Sequence, residues 1–364
     1  MRVAMLCAIL IGSLSACATP PRGAGLAEAA EAIGRDLDEL ERAGLSGQIL
    51  VRHGETTLVA RALGTLRPDS DEAVSMESVM PLASISKAFT ASAMLALAAD
   101  GRLNLDDPIG AYLPGLSPAW YPVPVRHLLT HTSGLPAEIF NPGWAGHPRF
   151  EPVSRTDMLR RINQFQPEHA PGALFRYSNI AYNLAAAVVE AISGQSLESF
   201  QHQRLFRPAG IRDIGLLLPD WQDAELVVAR TEHAASGHHL EQPRLDDGLG
   251  WHNRGSGDLL ARPRAMAEWW QTLRRRDWLP EPWMGEFLDP QIELADGSAY
   301  GFGLQFRSGR YGRAVGHTGS EFDFSVDWSW YMEHELFIYV ALADGRWQAD
   351  RVREQLVQRV FMHW

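Results

Sequence analysis

The sequence predicts an α/β (α+β) protein, a sandwich to which both ends of the chain supply helix and strand, with a mainly helical insertion between them. Three observations predict it. A helix followed by a hairpin opens the body, and strand-like runs return only after residue 300. Between them, from about 101 to 255, helical pieces are broken by Pro and Gly with little strand patterning. At 364 residues, 46% hydrophobic and 21% charged, the chain has enough apolar material for one large globular domain and is not a disordered polymer.

Each element has a local reason. Leu26, Ala30, Ile33, Leu37 and Leu40 fall at helical spacing, and Gly44 closes that run. Gly47 to Val51 and Thr56 to Ala62 flank Arg52-His53-Gly54-Glu55 and read as a β-hairpin. Ser84 to Ala99 is apolar nearly all round, which predicts a buried helix. Residues 180–193 form the clearest helix of the centre, ended by Gly194. Tyr300 to Phe306, Tyr311 to His317, Phe322 to Tyr331 and Glu335 to Ala343 are short aromatic or β-branched runs, hence strands. Val352, Leu356, Val360 and Phe361 mark a last amphipathic helix, and no internal repeat is visible.

The first residues read as an address. Met1-Arg2 precedes the apolar run Val3 to Leu14, which is too short to span a bilayer comfortably. Leu14-Ser15-Ala16-Cys17 resembles a bacterial lipobox, with Cys17 as the lipidated residue. The expected organisation is a signal segment 1–17, a tether 18–24 and a body 25–364, with the protein in the bacterial envelope, periplasmic and lipid-anchored to the outer membrane. A net charge of −11 argues against nucleic acid as a partner and leaves the lipid anchor as the expected membrane contact. The expected partner is instead a small-molecule, peptide or ester substrate.

Two counts narrow the chemistry. The only cysteines are Cys7 and Cys17, so the body holds no disulfide framework, CxxC metal site or catalytic thiol. Among 33 basic residues the single lysine is Lys87, so there is no Walker A loop, and any Schiff-base lysine would have to be Lys87.

Ser84-Ile85-Ser86-Lys87 places a hydroxyl three residues before that lysine, on one face of a buried helix. Burial lowers a lysine's pKa and makes a neutral amine available as a proton acceptor, which arginine cannot provide. Tyr177-Ser178-Asn179 stands just before a helix, where a phenol near a cationic amine is expected to have a lowered pKa and relay protons, and an amide can hold a substrate amide. Gly316-His317-Thr318-Gly319-Ser320 ends one strand, where small residues admit a substrate backbone and His317 and Thr318 could bind a carboxylate or carry a proton.

In this order the three motifs resemble the SxxK, YxN and KTG/HTG set of the serine β-lactamase and penicillin-binding protein superfamily, class C-like branch. His127-Leu128-Leu129-Thr130-His131-Thr132-Ser133-Gly134-Leu135-Pro136 and Tyr300-Gly301-Phe302-Gly303 strengthen the resemblance, as does Gly255-Ser256-Gly257-Asp258-Leu259, read as the start of a helix before the final sheet. The resemblance implies a β-lactamase-like fold, an antiparallel sheet flanked by the N- and C-terminal helices. It further implies Ser84 as nucleophile, Lys87 and Tyr177 as base and proton relay, Asn179 as the group orienting the acyl side chain, and Thr318 as pocket lining. His317 replaces the lysine of KTG, and the N–H groups of Ser84 and Ser320 form an oxyanion hole. No cofactor is implied.

The expected activity is therefore that of a serine hydrolase working through an acyl-enzyme on an ester or amide, DD-peptidase-like or esterase-like, with weak β-lactamase activity possible. The alternative is a non-catalytic envelope receptor that kept the fold, against which the retained amine speaks. A metal-dependent hydrolase is a third alternative; His127 and His131, four apart, are the only helical pair that suggests zinc, and a third ligand is not evident. Most tryptophans, including Trp269, Trp270, Trp328 and Trp330, read as core or cleft wall.

Overall fold

The computed structural model describes residues 22–138, 153–229, 240, 244–245, 248–321 and 323–364. The sheet has eight strands. Two come from the start of the body, β1 (Gly47–His53) and β2 (Thr56–Leu63), and six from its end: β3 (Ile292–Glu293), β4 (Ala299–Tyr300), β5 (Gln305–Gly309), β6 (Gly312–Glu321), β7 (Phe324–Tyr331) and β8 (Leu336–Leu342). Their order is β2-β1-β8-β7-β6-β5-β4-β3, antiparallel throughout, and the two ends of the chain join where Gly47 lies opposite Leu342.

The alternation of side chains across the sheet makes a core on each face. Along β8, Leu336, Ile338, Val340 and Leu342 pack with Ile33 and Leu37 of helix α1 (Arg22–Arg42) and with Val352 and Leu356 of the C-terminal helix. Phe337, Tyr339 and Ala341 point the other way, into a larger core shared with α2 (Ser86–Ala99). A strand buried on both faces must be apolar at every position, and LFIYVAL is. Helix α1 starts at Arg22, so the last three residues of the expected tether are already helical.

On the second face α2 packs against α3 (Asn179–Ser193). Ala88, Ala91 and Ala185 to Ala187 are all buried, and such small side chains let two helices approach closely. Helix α4 (Pro263–Arg275) brings Trp269 and Trp270 into this core, Trp269 against Phe89 and Trp328 and Trp270 stacked on Phe337. These four tryptophan positions are therefore core: Trp328 is fully buried and Trp330 nearly so. The C-terminal helix, α5 (Ala349–Met362), completes the outer layer beside α1. No described helix is long and apolar enough to cross a membrane.

Candidate active site

A single 3-10 turn, Ala83–Ile85, runs into α2 and carries Ser84 at its centre. Ala83 has φ of +46°, a left-handed conformation that costs a non-glycine residue about 1–3 kcal/mol, and the strain sits directly before Ser84. One turn on, Lys87 is fully buried, and its Nζ lies 3.1 Å from Ser84 Oγ, 2.9 Å from Asn179 Oδ1 and 2.7 Å from the Ser256 carbonyl oxygen. The last two partners only accept, so they commit two N–H bonds of the amine. Its remaining tetrahedral position faces Ser84. Burial brings the Lys87 pKa down to about 7, against the pull of Glu321, Glu138 and Asp258. The neutral amine that forms near pH 7 thus aims its lone pair at the Ser84 hydroxyl.

The loop carrying Tyr177-Ser178-Asn179 is held by its middle residue. Ser178 caps α3 by accepting from the Ala181 N–H at 3.2 Å, and its hydroxyl donates to the Pro136 carbonyl at 2.6 Å. The Tyr177 phenol lines the cleft together with Ser84, its ring lies 4.2 Å from the His131 ring, and Lys87 Nζ sits 4.9 Å from its centroid. Contrary to the lowering expected from the motif, the Tyr177 pKa is raised, with burial as the dominant cause. The amine beside it is itself half neutral near pH 7 and supplies too little positive charge to win. Burial thus favours the protonated phenol in the resting site.

Strand β6 forms the opposite wall. The β5–β6 hairpin closes through a two-residue turn between Gly309 and Gly312, with Gln305 opposite Gly316. That alternation directs the main-chain groups of Thr318 and Ser320 to the side where β5 has ended, leaving a free edge. Gly319 brings this edge against the serine turn: a Cβ there would lie 2.7 Å from the Leu82 carbonyl oxygen and 3.1 Å from the Ser84 nitrogen. The serine turn and the strand edge that carries Ser320 thus meet at the cleft, which both Ser84 and Ser320 line.

His317 departs from its expected use. It lines the cleft, but it is 1% exposed and both ring nitrogens are bonded. A chain of neutral hydrogen bonds runs behind the cleft, and its two main-chain ends set its direction. The Ser178 N–H donates to His131 Nδ1 at 3.0 Å, so His131 Nε2 carries the proton and donates to the Tyr300 hydroxyl at 3.1 Å. Nδ1 of His317 donates to the Thr318 carbonyl at 2.6 Å, so its Nε2 accepts from Tyr300 at 3.0 Å. Burial and then the nearby Lys87 charge hold His131 well below the usual imidazole range and take His317 down to about 3. His317 has no ring N–H left for a substrate carboxylate.

The zinc alternative loses its geometry. The helix that begins at Arg126 ends at Leu129, and His131 takes φ of +57°, so His127 and His131 share no helix face. His127 bonds Thr132 instead, and among the described residues no group of three or more His, Cys, Asp or Glu is placed to hold a metal. Gly255 to Leu259 is likewise a turn that supplies carbonyls to Lys87 and Thr90; the helix it was expected to start begins at Pro263. Asn179 is brought to Lys87, whose Nζ donates to its Oδ1. The cleft, about 350 Å³, includes Ser84, Tyr177, Thr318 and Ser320, and also Gln348 and Asp350, which no motif had marked. Cys17, residues 140–150 and His238-His239 lie outside the described residues.

Comparison with known proteins gives the family and the fold. Penicillin-binding protein 4* of Bacillus subtilis is 28% identical over 322 residues, 83% of this chain and 69% of its own length. The D-alanyl-D-alanine-carboxypeptidase/endopeptidase AmpH of Escherichia coli K12 is 29% identical over 64% of this chain and 59% of its own length. Esterase EstB of Burkholderia gladioli is 32% identical over 55% and 52%. This chain thus spans between about half and about two thirds of the length of these relatives. A penicillin-binding protein from Bacillus halodurans superimposes with a TM-score of 0.75 at 23% identity, over 90% of this chain and 98% of that one, which establishes the fold. The Beta-lactamase family profile matches residues 29–359, and with nearly the whole body inside that match the chain belongs to the β-lactamase family of serine hydrolases.

Proposed function

We propose that this protein hydrolyses an ester or amide through an acyl-enzyme on Ser84, with esterase-like or DD-peptidase-like specificity. The observation that carries the reading is the Lys87 amine, buried, with two N–H bonds committed elsewhere and its third position 3.1 Å from Ser84 Oγ. Ser84 Oγ attacks the acyl carbon while its proton passes to Lys87 Nζ. The resulting oxyanion is held by the N–H groups of Ser84 and Ser320. The leaving group departs with a proton donated by the Tyr177 hydroxyl, which is replenished from the Lys87 ammonium. A water molecule then attacks the ester carbonyl, and the same groups return the proton to Ser84. Asn179 holds Lys87 through Oδ1 and turns its amide toward the acyl portion.

Weak turnover of penicillins fits this cleft, because the fixed cation that would pair with a β-lactam carboxylate is replaced by a neutral, fully bonded His317. The reading is tested by intact mass after brief mixing with a penicillin and, separately, with 4-nitrophenyl acetate. An added acyl mass in at least one case, absent in Ser84→Ala, is the expected result. An adduct that persists in Ser84→Ala, or none with any activated acyl donor, overturns it. We further propose an envelope location through lipidation of Cys17, a reading supported by the sequence Leu14-Ser15-Ala16-Cys17. Incorporation of labelled palmitate in a bacterial host, lost in Cys17→Ser, is expected; equal labelling of both forms counts against it.

A further inference from the structure

The cleft combines a sealed imidazole with a carboxylate in its lining. Of the described residues that line it, none is an arginine or lysine, and Asp350 is the single acidic side chain. His317, at the position expected to receive a carboxylate, donates Nδ1–H to a main-chain carbonyl and accepts at Nε2 from Tyr300. The charged neighbours acting on Lys87 are carboxylates: Glu321, Glu138 and Asp258.

Asp350 is placed in register with the oxyanion edge. Ser320 of β6 pairs with Ser325 of β7, and Ser325 Oγ accepts the Ala349 N–H at 2.9 Å. The next residue along α5 is Asp350, half-buried, in the first turn of the helix, where the helix dipole favours a negative charge. Among the described residues it makes no hydrogen bond or ion pair. The nearby arginines are engaged with other carboxylates: Arg346 with Asp344 at 2.6 Å, Arg351 with Glu354 at 3.3 Å and Arg353 with Asp327 at 3.3 Å. Tyr177 joins the cleft lining from the helical insertion, whereas Asp350 joins it from the first turn of α5, which follows β8 in the chain.

We propose that Asp350 is a specificity-determining residue that binds an ammonium group on the leaving portion of the substrate, so that the enzyme prefers amino-alcohol esters or amine-bearing amides over substrates ending in a carboxylate. The proposal rests on Ser84 being the nucleophile and assigns the charge of its leaving group. Asn179, bonded to Lys87, takes the acyl side, and Asp350 takes the other.

The test keeps the acyl group constant. 3-(Trimethylammonio)phenyl acetate, its neutral isostere 3-tert-butylphenyl acetate and 3-carboxyphenyl acetate differ in charge but share the acetyl group. In the wild type, kcat/KM is expected to be about tenfold higher for the cation than for the isostere, the size of a partly screened single charge pair, and lowest for the carboxylate. High salt compresses that ratio. Asp350→Asn brings the cation-to-isostere ratio close to one, and Asp350→Glu retains most of it. A wild-type ratio near one, or a tenfold ratio that survives in Asp350→Asn, overturns the proposal while leaving the serine-hydrolase reading in place. If none of the three esters acylates Ser84, as read by intact mass, the serine-hydrolase reading fails and the proposal falls with it.

Discussion

Lys87→Arg is expected to slow acylation of Ser84 by about 10³-fold although the positive charge is kept, in the middle of the range that a general base contributes. The amine works because it can be neutral, and a guanidinium stays protonated at any pH the protein survives. Its planar fork also cannot reproduce the tetrahedral set at Lys87, with Asn179 Oδ1 at 2.9 Å, the Ser256 carbonyl at 2.7 Å and Ser84 at 3.1 Å. The wild-type pH profile carries the same signature. Because burial brings the Lys87 pKa down to about 7, the reactive neutral form grows as pH rises through that value. Acylation therefore increases from pH 6 to pH 8 and then levels. Lys87→Arg loses that rising limb along with the rate. Stopped-flow acylation by an activated ester, followed across this range in both proteins, checks both statements. A variant within tenfold of wild type would remove the neutral-amine mechanism.

Gly319→Ala carries the second large effect. Its added methyl would stand 2.7 Å from the Leu82 carbonyl oxygen, 3.0 Å from the Ala83 Cβ and 3.1 Å from the Ser84 nitrogen. Two of these are main-chain atoms of a turn already strained at Ala83, so β6 must retreat and take the Ser320 N–H with it. Loss of one oxyanion donor costs about 10²–10³-fold in kcat. The expected result is a fall of that size with the thermal transition lowered by only a few degrees. Acylation within threefold of wild type would show that the strand edge does not serve the oxyanion.

How much of this was legible in the chain depends on the range over which each feature acts. The Ser84–Lys87 contact is local: three residues on a helix put two side chains on one face, and the 3.1 Å separation follows from that. The hairpin and the double-faced burial of β8 are equally local, since strand alternation exposes alternate side chains to opposite faces. The strand expected from Phe322 to Tyr331 runs from Phe324 to Tyr331, and the one expected from Tyr300 to Phe306 is two pieces. The Gly301 and Gly303 that break it also lie close to other elements: a Cβ on Gly303 would meet the Lys87 main chain at 2.7 Å.

Other features had no local signal. The Ser256 carbonyl that holds Lys87 is a main-chain atom and leaves no trace in residue type. His131, Tyr300 and His317 each belonged to a noticed stretch. Their joining into one directed chain depends on a loop before α3 and two strands meeting in space. The raised pKa of Tyr177 reverses a local expectation because burial among His131, Tyr300 and His317 is a property of the packed site. The apparent zinc pair failed for the same kind of reason, since a helix that stops at Leu129 cannot be read from a spacing of four.

The sequence by itself determined the fold family, the single titratable amine and the residues that can do acyl chemistry, because helical spacing, strand alternation and residue type act within a few positions. Only the tertiary structure decided the protonation and orientation of those groups. It buried Lys87 until its amine could be neutral, closed both nitrogens of His317, and brought Asp350 into the cleft lining. Desolvation and hydrogen-bond satisfaction depend on what the rest of the chain places around each group.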